Sequence, residues 1–191
     1  MTIVERLKGL PDPRRGAGQR HPLVWVLLMI IMGMMSGRYG YRELATFMAS
    51  NKAVFTDLFL LKHGTPSHVT IRTILQTISY AELNEIFEEW MTDHLEIKKK
   101  AWLSADGKAM KSTVEHAHDT WQNFVSLVSV FHQQTGTVLA TARMDNGKGG
   151  EIPTLQDLLE KLGLTGVILR MDALHCQKKQ LTSSSKAKMT T

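Results

Sequence analysis

Apolar positions along the chain follow two different rhythms. From Leu23 to Met35 they are nearly continuous (LVWVLLMIIMGMM), which predicts a helix buried on all sides rather than a half-exposed one. This run is shorter than the ~20 residues that a membrane-spanning helix needs. Gly33 and Gly37 suit either the close approach of a second helix or a helix end. Helical spacing then recurs, first in Tyr41, Leu44, Ala45, Phe47 and Met48, and next in a helix over 53–61 that His63-Gly64-Thr65-Pro66 stops. Ser67-His68-Val69-Thr70 offers a helix start, with Ile71, Ile74, Leu75 and Ile78 on one face and Arg72 on the other side, open to an anion. Over 81–95, Leu83, Ile86, Phe87 and Trp90 form a buried stripe, and Glu82, Glu85, Glu88 and Glu89 form the wet face. Upstream of these helices, Val4-Glu5-Arg6-Leu7 makes a short helical start that Pro11 and Pro13 stop. The basic, turn-rich segment PDPRRGAGQRHP reads as an exposed arm.

Past Lys98-Lys99-Lys100 the period falls from about 3.6 to 2. Ala101-Trp102-Leu103 opens a strand that ends at Asp106, and 123–132 (NFVSLVSVFH) alternates as a second strand. Gln133-Gln134-Thr135-Gly136 is a hairpin turn and 137–144 (TVLATARM) its returning strand. After a glycine-rich loop, Pro153 suits the first position of a helix with Leu155, Leu158, Leu159 and Leu162 on one side. Gly163 ends it, and a strand over 167–171 delivers Asp172. The predicted class is therefore α+β, an all-helical part (1–100) followed by a mixed α/β part. A right-handed crossover through the helix allows the last strand to lie beside the first. Asp106 and Asp172 then meet at one end of the sheet.

Composition changes the picture in three places. The 191 residues suit one large domain or two smaller ones, and 43% hydrophobic content supports a real core. The net charge of +5 favours an anionic partner, although a plain basic protein would carry it too. A single cysteine, Cys176, excludes an internal disulfide framework, fits a reducing cytoplasm and leaves no zinc-type spacing with His175. Arg14, Arg15 and Arg20 in the arm, with Lys108, Lys111 and Lys178 near the two acids, are candidate contacts for DNA phosphates; a solvated loop explains them equally. Two carboxylates held together repel unless a cation lies between them, and oxygen-only ligands favour Mg2+ or Mn2+. Two such ions suit in-line attack at a phosphodiester. The alternative is that each aspartate caps a turn or helix, as Glu151 does at the start of its helix.

Several stretches carry a family resemblance. DPRRGAGQRHPLVWVLLMIIMGMMSGRYGYRELATF resembles the N-terminal associated domain of H-repeat-associated (ISAs-type) insertion-sequence transposases. SADGKAMKST, FVSLVSVFHQQTGTVLATARMDNGKGGEIPTL and GVILRMDALHCQKK resemble the start of their catalytic domain, in the family order. The likeness runs from Leu10 to Lys179. It implies a DDE transposase with an RNase H-like fold and a two-metal site for Mg2+ or Mn2+. The implied activity is cleavage and strand transfer at insertion-sequence ends, with DNA as partner, no membrane, and a homo-oligomer left open. On the resemblance, Asp106 in the DGK motif is the first catalytic and metal-binding carboxylate, and Asp172 in DALHCQK is the second.

The family pattern also implies a third acid on a later helix, and no acid follows Asp172. The polar stretch QLTSSSKAKMTT offers no strand or helix pattern. The expectation is a C-terminally truncated transposase, inactive alone, with domains at 1–100 and 101–179 and an unstructured, out-of-frame tail at 180–191. The competing expectation is a DNA- or protein-binding module that acts as a truncated-transposase repressor.

Overall fold

The computed structural model describes residues 1–95, 97, 100–110, 125–145, 151–164, 166–170 and 188–189. The chain divides into two compact units, Met1–Asp93 and His94–Thr191.

The first unit is helical: α1 (Ile3–Lys8), α2 (Leu23–Met35), α3 (Tyr41–Ser50), α4 (Lys52–Phe59), α5 (His68–Thr77) and α6 (Tyr80–His94). α1 starts on a capping box, in which the Thr2 hydroxyl accepts the Glu5 N–H and the Glu5 carboxylate accepts the Thr2 N–H. It ends at Gly9, ahead of the two prolines. Arg6 ties this helix to α6 through ion pairs to Glu89 and to Asp93, the latter at 2.6 Å. α2 is the predicted helix, with Val26 and Met29 fully buried, but it is not buried on all sides, because Met32, Met34 and Met35 at its C-terminal end are exposed. Gly33 allows α3 to approach it, since a Cβ there would stand 2.6 Å from Leu44 Cδ2 and 3.2 Å from Phe47 Cδ1. Stacked Trp25 and Phe59, centroids 4.9 Å apart, join α2 to α4. α4 stops at Leu60 rather than running through Leu61, because Leu60 takes a left-handed conformation (φ 51°) that closes the last turn. Ser67 caps α5, its hydroxyl accepting the Thr70 N–H, and Ile71 and Ile74 are fully buried.

The second unit is a sheet in the order β3-β2-β1-β4-β5 with one described helix. Its elements are β1 (Trp102–Ala109), β2 (Val125–His132), β3 (Thr137–Asp145), α7 (Glu151–Leu162), β4 (Ile168–Arg170) and β5 (Lys188–Met189). β1, β2 and β3 are antiparallel, and β4 lies parallel to β1, the placement that a crossover through α7 allows. β2 alternates strictly, burying Ser126, Val128, Val130 and His132 on the face that packs with Leu155 and Leu158 of α7. An irregularity at Val130/Phe131 puts Leu139 out of step in β3, so Leu139 and Ala140 are buried in succession. Leu95 and Ile97 pack against this core.

Three sequence expectations change here. β1 does not end at Asp106; it runs on through Gly107, Lys108 and Ala109, held by pairing with Val128, Leu127 and Ser126. α7 starts two residues before Pro153, which occupies the first turn, where backbone N–H groups have no intrahelical acceptor to lose. Two residues of the polar tail, Lys188 and Met189, pair in parallel with Ile168 and Leu169. An open strand edge offers backbone donors and acceptors to any extended segment, whatever its side-chain pattern.

Candidate functional site

Along β1, Leu103 and Ala105 are buried toward the α7 face, so the intervening positions point to the opposite face. Asp106 and Lys108 are exposed there. Asp106 lies opposite Ser129 of β2, and Ser129 opposite Thr141 of β3, which aligns a carboxylate with two hydroxyl-bearing residues across three strands. Lys108 follows two residues along the same strand. On the other side of β1, Ser104 pairs with Arg170, the exposed last residue of β4. Among the described residues, the potential metal donors aligned with Asp106 across the sheet, on Ser129 and Thr141, are oxygens, the type that a hard divalent cation takes. Among the described residues no group of three or more His, Cys, Asp or Glu side chains gathers into a metal cage. Asp172, Lys111 and Lys178 lie outside the described residues, as do His175 and Cys176.

The basic segment before α2 is exposed along most of its length, but Arg14 within it is buried, and this corrects the reading of Arg14 as a phosphate contact. Its side chain is 4% exposed. Nε and Nη2 donate to the two oxygens of Asp12 at 2.8 and 2.6 Å, Nη1 to the Gly18 carbonyl at 3.1 Å and Nη2 to the His21 carbonyl at 2.7 Å. A guanidinium has five N–H donors, and four are occupied inside the loop. Asp12 is correspondingly held below the usual carboxylate range, chiefly by the Arg14 hydrogen bond. The segment closes through a 3-10 turn, Gly16–Gly18.

Arg15 and Arg20 are exposed. Arg15 lines an open cleft of about 390 Å3 with Val69, Thr70, Thr73 and Thr77 of α5. The neighbourhood is positive enough to act on His21, whose imidazole is held below its ordinary value first by burial and then by Arg20, His63 and Arg14. Sequence spacing holds no signal for this meeting of residues 15 and 69–77, because it depends on how α5 packs. Among the described residues no helix is long and apolar enough to cross a membrane.

Residues 4–91 match the model of the family described as DDE_Tnp_1-associated. Over 178 residues the chain is 28% identical to the H repeat-associated protein YhhI of Escherichia coli (strain K12), named as a transposase, an alignment covering 92% of this chain and 46% of YhhI. YbfD of the same strain, also named as an H repeat-associated transposase, is 26% identical over 176 residues, covering 92% of this chain and 68% of YbfD. Among solved structures, the piggyBac transposase synaptic complex with hairpin DNA is similar in fold, with a TM-score of 0.50 and 10% identity over 98% of this chain and 47% of that one. The chain thus spans about half the length of YhhI. With the associated domain matched over residues 4–91 and H repeat-associated relatives aligned along nine-tenths of its length, the chain is similar to the H repeat-associated transposases.

Proposed function

We propose that the chain works in DNA transposition, with Asp106 and Asp172 as paired metal-binding carboxylates of an RNase H-like sheet and DNA as the partner. The observation that carries this reading is the parallel register of β1 with β4: Trp102 with Ile168, Leu103 with Leu169, Ser104 with Arg170. In the sequence Asp172 follows Arg170 by two residues, as Asp106 follows Ser104. Neighbouring strands run about 4.8 Å apart, close enough for two carboxylates to share a cation that offsets their repulsion. Mg2+ or Mn2+, when bound, would supply charge stabilisation for phosphoryl transfer. Asp106 and Asp172 would hold the metal, and Lys108, Lys111 and Lys178 would contact DNA phosphates. Arg15 and Arg20 would do the same from the helical unit.

The domain division 1–100, 101–179 and 180–191 belongs to this proposal, with compaction changing at Asp93–His94. Residues 1–191 by themselves are proposed to bind metal and DNA without cleaving element ends. The compact helical unit with its own core favours a second reading, a DNA-binding module that represses by occupying those ends.

Mn2+ titration of the full chain, read by electron paramagnetic resonance, tests the pair directly. Asp106→Asn and Asp172→Asn should each weaken binding by roughly tenfold or more, on the scale of losing one of few ligands. Unchanged Mn2+ affinity in both variants would sink the proposal. Incubation with Mg2+ and end-bearing DNA should give no cleavage; robust cleavage that Asp106→Ala abolishes would overturn the inactivity.

A further inference from the structure

We infer that the outer face of α5 is the element that enters a groove of duplex DNA, with Arg15 holding the flanking phosphate backbone. This rests on the reading of the chain as DNA-acting and names the surface responsible.

The inner face of α5 is committed to the core, Ile71 and Ile74 being fully buried. On the outside, His68, Arg72 and Gln76 are all exposed and recur every four residues, which aligns them along one line of the helix. A second line, Val69, Thr73 and Thr77, adjoins it and forms the wall of the cleft that Arg15 faces. Arginine, glutamine, histidine and threonine are residue types that hydrogen-bond base edges, arginine to guanine and glutamine to adenine in bidentate fashion. Ten residues make a helix about 15 Å long, which fits a major groove about 12 Å wide.

Charge selects the partner. No Asp or Glu occurs between Asp12 and Glu43, nor between Asp57 and Glu82. The cleft brings these two acid-free stretches together, so Arg15, Arg20, Lys62, His63, His68 and Arg72 belong to segments without a counter-charge of their own. Acid-free segments meeting at the cleft, with Arg15 on one side and the exposed Arg72 on the helix of the other, disfavour a basic partner and suit a polyanion with readable edges, which is duplex DNA.

The test uses the full chain and a short fluorescent duplex of mixed sequence, with anisotropy measured over a range of salt concentrations. A pool of duplexes with a randomised core then shows which sequences the chain enriches. The wild type should bind with steep salt dependence and enrich a defined sequence. Arg15→Ala should lower the salt slope by about one with the enriched sequence unchanged. Arg72→Ala with Gln76→Ala should cost roughly tenfold or more on the enriched sequence and relax the preference. All three positions are exposed, and thermal melts confirm that the variants fold; Arg15→Glu is an independent second probe of the same surface. If the double variant binds and selects as the wild type does, or if the wild type enriches no sequence, α5 is not the reading element while DNA binding stands. If the wild type binds no duplex even at low salt, the DNA reading itself falls. A double variant that loses self-association by light scattering but not DNA binding would reassign the face to a second copy of the chain, and overturn the inference.

Discussion

Replacing Arg14 with alanine separates a structural arginine from a DNA-binding one. The side chain is 4% exposed and Asp12 is 20% exposed. Truncation removes two charge-assisted bonds to Asp12 and two bonds to the carbonyls of Gly18 and His21. Breaking a fully buried pair costs about 3–5 kcal/mol. Here Asp12 and both carbonyls are near enough to the surface to regain water, so the loss is about 2–3 kcal/mol. In a unit the size of Met1–Asp93, each kcal/mol moves the melting temperature by about 4–8 °C, and the variant should melt roughly 10–20 °C lower. The assay is a thermal melt of the full chain by far-UV circular dichroism, with Arg15→Ala as the exposed control expected to stay within about 0.5 kcal/mol of wild type. An Arg14→Ala protein that melts like the wild type but binds DNA less tightly would refute the reasoning and restore Arg14 to the DNA interface.

Gly33→Ala sets helix propensity against packing. Alanine should gain about 1 kcal/mol in an interior helix position, while a Cβ 2.6 Å from Leu44 Cδ2 overpacks the α2–α3 contact at a cost of about 1–3 kcal/mol. The net expectation in urea denaturation is a small loss, and adding Leu44→Ala should show favourable coupling between the sites; a stabilised single variant with no coupling would contradict the close approach. Stability should also fall on the acid side in two windows. His21 has a folded pKa below its ordinary 6.5, so stability is lost as pH falls from that value toward the folded one. Asp12 has a folded pKa below its ordinary 3.8, so its contribution is present above 3.8 and lost as pH drops through the lower folded value. Melts across this range should show the lower window flattened in Arg14→Ala, because Arg14 is what depresses Asp12; an unchanged acid limb would count against that pairing.

Much of the fold was legible as local pattern. The unbroken apolar run from Leu23 to Met35 became a helix with those bounds, although Met32, Met34 and Met35 at its end are exposed rather than buried. The alternation of β2 and the turn residues before β3 yielded the hairpin, since pleat and turn chemistry are set within a few residues. Arg14 was misread because a basic, glycine- and proline-rich stretch looks the same in sequence whether its charge meets water or a neighbouring carboxylate. The end of β1 was misread because Asp106-Gly107-Lys108 is a turn-like string, and only the β2 ladder keeps it extended.

Asp106 shows where the division lies. Its position after a short apolar ramp, and the resemblance of the DGK motif, made it a candidate from the sequence alone. Its neighbours came from the tertiary structure: Ser129 across the β1–β2 ladder, and a parallel β4 paired with the start of the same strand. The pairing of Arg15 with the outer face of α5 is of the same kind. Periodicity along a chain states which face of an element is apolar, through interactions a few residues long. Which two faces meet is settled by packing between elements tens of residues apart, and no local pattern encodes that choice.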